Sequence, residues 1–268
     1  MRRFLVQLLL ALRNRCADDH AIDLTARTLV FAPHPDDEVL GCGGTIARKV
    51  LAGAVLRVVI VTDGRTSHEK FISAGELVRM RRAEAHDAAT ALGLADDCCE
   101  FLDFPDGQLH RHREAAVAAV RSIIQSFAPR EIYLPHRADR QHDHETTYGV
   151  VLSALEGYGQ PVNMFEYPIW LLHSWPWTWG APVGGGRLWR WWSELRAVWE
   201  IAWRCRTRSD IAAVRDKKLQ ALAAYRSQMQ RIDDNPNWPV MADVAGGEFI
   251  AYFAQSAEMF RKSQYRPR

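Results

Sequence analysis

Thr28-Leu29-Val30-Phe31-Ala32, followed at once by Pro33-His34-Pro35-Asp36-Asp37-Glu38, is the stretch on which the fold turns. An apolar run this short, with no polar alternation, reads as a strand buried on both faces, as in a parallel sheet. The same rhythm repeats outward from it. Strand patterns are expected at residues 54–61, 99–104, 131–135 and 163–170. Helical patterns at 44–51, 76–92, 113–127 and 144–155 separate them, the second closing on Gly93, which tolerates a left-handed C-cap. Such alternation predicts β-α-β units, hence an α/β fold: a Rossmann-like three-layer α/β/α arrangement with a mostly parallel sheet.

With 268 residues the chain can bury one large core plus an elaboration. We expect a catalytic α/β core over residues 1–170 and a Trp-rich, largely helical elaboration over 171–268 packed on the same domain. Within the latter, residues 211–232 read as one helix. The 34 Lys+Arg nearly balance the 32 Asp+Glu, so nothing calls for nucleic acid as a partner. Cys16, Cys42, Cys98, Cys99 and Cys205 form no C-x-x-C pair. That usage suits a reducing, cytoplasmic setting. The opening MRRFLVQLLLALRNRC reads as an amphipathic helix rather than a signal peptide, because Arg13 and Arg15 follow the apolar run and no small-residue cleavage site appears.

Two clusters carry the chemistry. His34, Asp36, Asp37 and Glu38 place four ionisable groups within five residues just beyond a strand, where open α/β sheets gather ligands. One His and one Asp from this turn can supply two metal ligands, and the neighbouring carboxylate can take a proton from water. The comparable cluster is Asp139-Arg140-Gln141-His142-Asp143-His144, after the strand expected at 131–135. It can supply a third ligand. Either cluster alone could equally be a solvated helix N-cap.

At these residues the sequence resembles the PIG-L or LmbE-like family of zinc-dependent N-acetylglucosaminyl deacetylases, over roughly residues 28–155 and more faintly near 218–228. The family's His-Pro-Asp-Asp-Glu is matched in full by residues 34–38. The resemblance implies that His34, Asp37 and His144 bind zinc, a site that also admits iron(II), and that Asp36 is the general base. In the family's His-x-Asp-His motif the first His falls on Gln141 here, a departure. Either His142 takes over as catalytic group, with Asp143 orienting an imidazole, or Gln141 donates a neutral hydrogen bond to the substrate's oxyanion. By resemblance, Arg81 and Asp106 bind substrate; the plainer reading of Arg81 and Glu84 is a surface ion pair. The expected activity is hydrolytic release of acetate from an N-acetylglucosaminyl conjugate. An amidase acting on another N-acyl sugar conjugate and a non-catalytic sugar- or lipid-binding protein are the alternatives.

Other motifs do not carry a function. Gly41-Cys42-Gly43-Gly44 lacks dinucleotide-loop spacing and is expected to let a helix approach the metal loop. His68-Glu69 lacks the second His of a zincin. Nine of the ten tryptophans lie between Trp170 and Trp203. Leu188, Trp192, Leu195, Trp199 and Ala202 form one helical stripe, expected to face the core. The surplus tryptophans leave room for a peripheral membrane contact, a platform for a lipid- or glycan-linked substrate, or a homo-oligomer contact.

Overall fold

The computed structural model describes residue 11, residues 19–172 and residues 199–267. Five strands, β1 (Thr28–Ala32), β2 (Leu56–Thr62), β3 (Cys99–Phe104), β4 (Glu131–Pro135) and β5 (Val162–Tyr167), run parallel. Helices α1 (Asp37–Leu51), α2 (Ala74–Leu92), α3 (Arg113–Phe127) and α4 (His142–Leu155) fall in the intervals, with α2 and α3 following a loop or a 3-10 turn. The carboxy-terminal part supplies helices α5 (Arg215–Ala224), α6 (Arg226–Met229) and α7 (Glu248–Phe253), and also strands β6 (Thr207–Asp210) and β7 (Ala257–Tyr265). β7 lies antiparallel between β5 and β6, giving the sheet order β3-β2-β1-β4-β5-β7-β6. The expected α/β fold with a mostly parallel sheet is therefore present. The two carboxy-terminal strands were not anticipated, because β7 is apolar only in its first half and TRSD in β6 is almost wholly polar.

Side chains alternate across the strands, so successive residues feed opposite cores. Val30, Ala32, Val58, Ile60 and Tyr133 join α1, α2 and α5 on one face. Leu29, Phe31, Val59, Ile132 and Leu134 join α3 and α4 on the other. This makes the three layers.

Two expected helices need correction. The first begins at Asp37 rather than at residue 44, with Asp37 and Glu38 in its first turn, where acidic groups complement the helix dipole. Three glycines inside it hid it from propensity. They are there for contact with the core: a Cβ on Gly41 would sit 2.4 Å from the Tyr167 ring, and one on Gly44 2.5 Å from Ile211. The helix expected over 211–232 is interrupted at Tyr225 (φ −76°, ψ 62°), whose hydroxyl turns inward to donate to Glu38 Oε1. Of the tryptophan stripe, Leu188, Trp192 and Leu195 lie outside the described residues, as does the amino-terminal helix apart from Ala11. Trp199 is 46% and Trp203 63% exposed, so the core-facing expectation fails for Trp199. No helix among the described residues is long and apolar enough to cross a membrane.

Candidate metal centre

Strand order places the site. From β1 the chain steps to β2 and β3 on one side, then returns to β4 on the other. The loops leaving β1 and β4 part at that switch point and open a crevice between them. The first loop carries His34 to Asp37; the second carries Asp139 to His144.

His34, Asp37 and His144 converge there, with a possible ligand atom from each within 4.8 Å of the others. His34 Nδ1 and His144 Nε2 each lie 3.1 Å from Asp37 Oδ2. Two imidazole nitrogens and one carboxylate oxygen form a borderline donor set suited to zinc and accommodating iron(II). The fit rests on His144. Its Nδ1 lies 2.8 Å from Asp139 Oδ2, which orients the ring and aims Nε2 at Asp37. That Nε2 is buried against the Asp37 carboxylate. Electrostatics agree. Burial alone would raise Asp37, but the His144 and His34 imidazoles hold it well below the usual carboxylate range. For His144, Asp37 and Asp139 override burial and lift it to about 9, the protonated state of a site that can exchange its proton for a cation.

Asp36 stands beside this trio and lines the cavity. Its backbone has φ 126°, a conformation costing about 1–3 kcal/mol for a residue with a Cβ. Its side chain does not cap α1; instead Oδ2 receives Arg81 Nη2 at 2.8 Å. Burial pushes its pKa up to about 7, against the pull of Arg81. Arg81 also donates to Pro35 O and, from Nη1, to Ser67 Oγ at 3.2 Å. The surface pair with Glu84 does not exist. Both residues are buried, and Glu84 accepts instead from the amide and hydroxyl of Ser227, each at 2.7 Å.

Asp106 faces the same cavity, with Oδ1 3.2 Å from His34 Nε2 and Oδ2 held by the Thr66 amide and hydroxyl at 3.1 and 2.6 Å. Gln141 is the N-cap of α4: its Oε1 accepts the His144 amide at 3.0 Å, while Nε2 turns to His34 Nε2 at 3.3 Å. His142 is elsewhere. It is exposed on α4, edge-on to His110 at 4.5 Å, and is not among the residues lining the cavity. Asp143 is fully buried, accepts the Gly107 amide at 2.6 Å and faces the His34 imidazole, 3.5 Å from its Nε2.

The cavity above the trio has a volume of about 320 Å³. Its outer wall was not foreseen. Trp170, Val240, Met241 and Val244 give it an apolar side, and His68 stacks on Trp238 at 4.3 Å while hydrogen-bonded to Pro239 O. Asp139 was also missed as a second-layer partner. It stood in the quoted cluster, but nothing in spacing shows that it bonds His144 and the amides of Ile169 and Leu171.

Comparison with known proteins agrees with this geometry. Residues 29–155 match the family described as PIG-L: GlcNAc-PI de-N-acetylase. The chain is 28% identical over 148 residues to an uncharacterized deacetylase, YaiS, of Escherichia coli (strain K12), covering 53% of this chain and 75% of that protein. It is 32% identical over 173 residues to a 1D-myo-inositol 2-acetamido-2-deoxy-alpha-D-glucopyranoside deacetylase of Mycobacterium sp. (strain KMS), covering 55% of this chain and 56% of that one. It thus spans only about half the length of the mycobacterial relative. The N,N'-diacetylchitobiose deacetylase of Pyrococcus horikoshii shares the fold, with a TM-score of 0.63, 20% identity, and coverage of 97% of this chain and 90% of that one. Both sequence clusters and the crevice they form fall within the segment, residues 29–155, that is similar to the PIG-L family.

Proposed function

We propose that this protein is a zinc-dependent deacetylase that hydrolyses the acetamide of an N-acetylated sugar conjugate, releasing acetate. The observation that carries this reading is the convergence of His34, Asp37 and the buried His144 Nε2 within 4.8 Å of one another, with Asp36, held by Arg81, lining the same cavity. His34, Asp37 and His144 would hold the ion, which when bound supplies a Lewis acid for the acetamide carbonyl and makes water more acidic. Asp36 takes the proton of the attacking water. Arg81 holds its carboxylate in place beside the proposed metal ligands. Gln141 Nε2 offers a neutral donor to the developing oxyanion. With His142 turned away, Asp36 also returns the proton to the leaving amine. Asp106 and Arg81, polar and fixed, face the sugar's hydroxyls.

Acetate release from a panel of N-acetylglucosamine conjugates, with and without chelator and with zinc or iron(II) restored, tests the reading. We expect loss with chelator and recovery with zinc. A zinc-loaded protein that binds these conjugates but releases no acetate would instead be a sugar-binding protein, and release of larger acyl groups alone would make it an amidase.

Exposed Trp199 and Trp203, with Arg204 lying 5.0 Å from the Trp199 ring, support a peripheral contact with anionic membrane and so a lipid-linked conjugate. Partition onto anionic vesicles, lost in a Trp199→Ala/Trp203→Ala variant, is the expected result; no partition by the intact chain removes that part of the reading.

A further inference from the structure

A second concavity, of about 760 Å³, lies outside the metal centre on the flank formed by α3 and α4. It is lined by His110, Arg111 and His112 from the 3-10 turn that precedes α3, by Arg113 and Arg121 of α3, and by Ser153 of α4. The arrangement is built rather than incidental. Arg113 Nη2 donates to Ser153 Oγ at 3.2 Å, and Arg121 Nη2 donates to Ser153 O at 2.8 Å. Two guanidinium groups are thereby drawn to one residue of the facing helix. The Arg113 guanidinium packs over Gly149, one turn earlier on α4, where a Cβ would stand in ordinary van der Waals contact with Nη2 at 3.4 Å. Arg111 bonds only Gln108, at 3.5 Å.

Among the described residues none of these three arginines has a carboxylate partner, although the chain as a whole is nearly balanced at +2. Glu114 is the one acidic side chain in the lining, and it sits in the first turn of α3, where the helix dipole already favours it. Like charges gathered on one anchor repel each other unless an anion joins them. Guanidinium forks match the paired oxygens of phosphate, and three of them outweigh the single charge of a carboxylate. We propose that this cleft binds a phosphate-class anion: a phosphoryl or pyrophosphoryl group, carried either by the far end of the substrate or by a separate ligand.

Calorimetric titration of the zinc-loaded full chain with pyrophosphate and with inorganic phosphate, in a chloride buffer, tests this. Saturable binding is expected, weakened at least about tenfold by R111Q/R113Q/R121Q. The variant should keep its circular dichroism spectrum. Should it fail to fold, R111Q alone disturbs no contact with another helix and should weaken binding about threefold. Competitive inhibition of acetate release by pyrophosphate, relieved in the variant, assigns the phosphoryl group to the substrate. Binding without inhibition assigns it to a separate ligand. Equal affinity in intact chain and variants, or heat that never saturates, overturns the proposal; inhibition that survives in the variant arises at the metal centre and also counts against it.

Discussion

At the scale of single residues, the site separates groups that do chemistry from groups that hold them. Asp36→Asn keeps the shape and the ligand trio but cannot take a proton, so we expect unchanged zinc stoichiometry and a fall in kcat of about 10³-fold or more, read by metal analysis alongside acetate release. Gln141 and His142 give opposite expectations although they are neighbours. Gln141→Ala removes the amide that faces His34 and should lower kcat about 10²-fold, with a further cost of about 1 kcal/mol in stability from the lost N-cap. His142→Ala should leave kcat within about twofold; a large loss there would restore the imidazole to the mechanism. Asp139 touches neither cavity nor water, yet its bond to His144 Nδ1 sets which nitrogen is free. Asp139→Asn should weaken zinc about 10–100-fold, as measured by competition with a chelator, with only a minor change in KM.

At the scale of elements, helix α1 shows how a helix of poor propensity is retained. Gly41 and Gly44 lower its intrinsic stability, but the Tyr167 ring and Ile211 occupy the space their side chains would need. Gly41→Ala should therefore destabilise the protein by about 1–3 kcal/mol in urea unfolding rather than stabilise it as an exposed helix Gly→Ala would. The Tyr167 hydroxyl also donates to Phe31 O, so displacing the ring disturbs β1 directly before the metal loop. These features show where sequence reading succeeds and stops. The apolar runs of β1, β2 and β4 and the helical periods between the strands announce themselves because both sheet faces are covered there. β7 does not, since its outer half carries Arg261, Lys262, Ser263 and Gln264 and pairs only because β5 offers an open edge.

At the scale of the whole molecule, a buried polar cluster joins the loop after β4 to the carboxy-terminal strands. His136 Nδ1 accepts the Ala138 amide, and its Nε2 lies 4.0 Å from Glu166 Oε2 and 3.9 Å from Glu200 Oε2, with Arg261 and Arg137 nearby. Burial, then the charges of Arg261 and Arg137, depress its pKa to about 3. The unfolded chain therefore binds a proton that the folded one refuses, and stability falls as pH drops from about 6.5 toward 3, by up to about one pKa unit's worth (1.4 kcal/mol) per pH unit. His136→Asn should flatten that limb of the pH–stability curve; a curve of unchanged slope would show that other groups set it. What the sequence alone determined is what lies close along the chain: the parallel strands, the His34-to-Glu38 turn, the cluster ending at His144, the departure at Gln141. The tertiary structure alone decided what contact across the chain requires: Asp139 on the amides of Ile169 and Leu171, Glu84 on Ser227, His68 against Trp238, and the paired arginines on Ser153. Periodicity and spacing report on neighbours within a turn or a strand, whereas these partners are brought together by strand order and crossover, which pair residues far apart in the chain, such as His68 and Trp238, 170 positions apart.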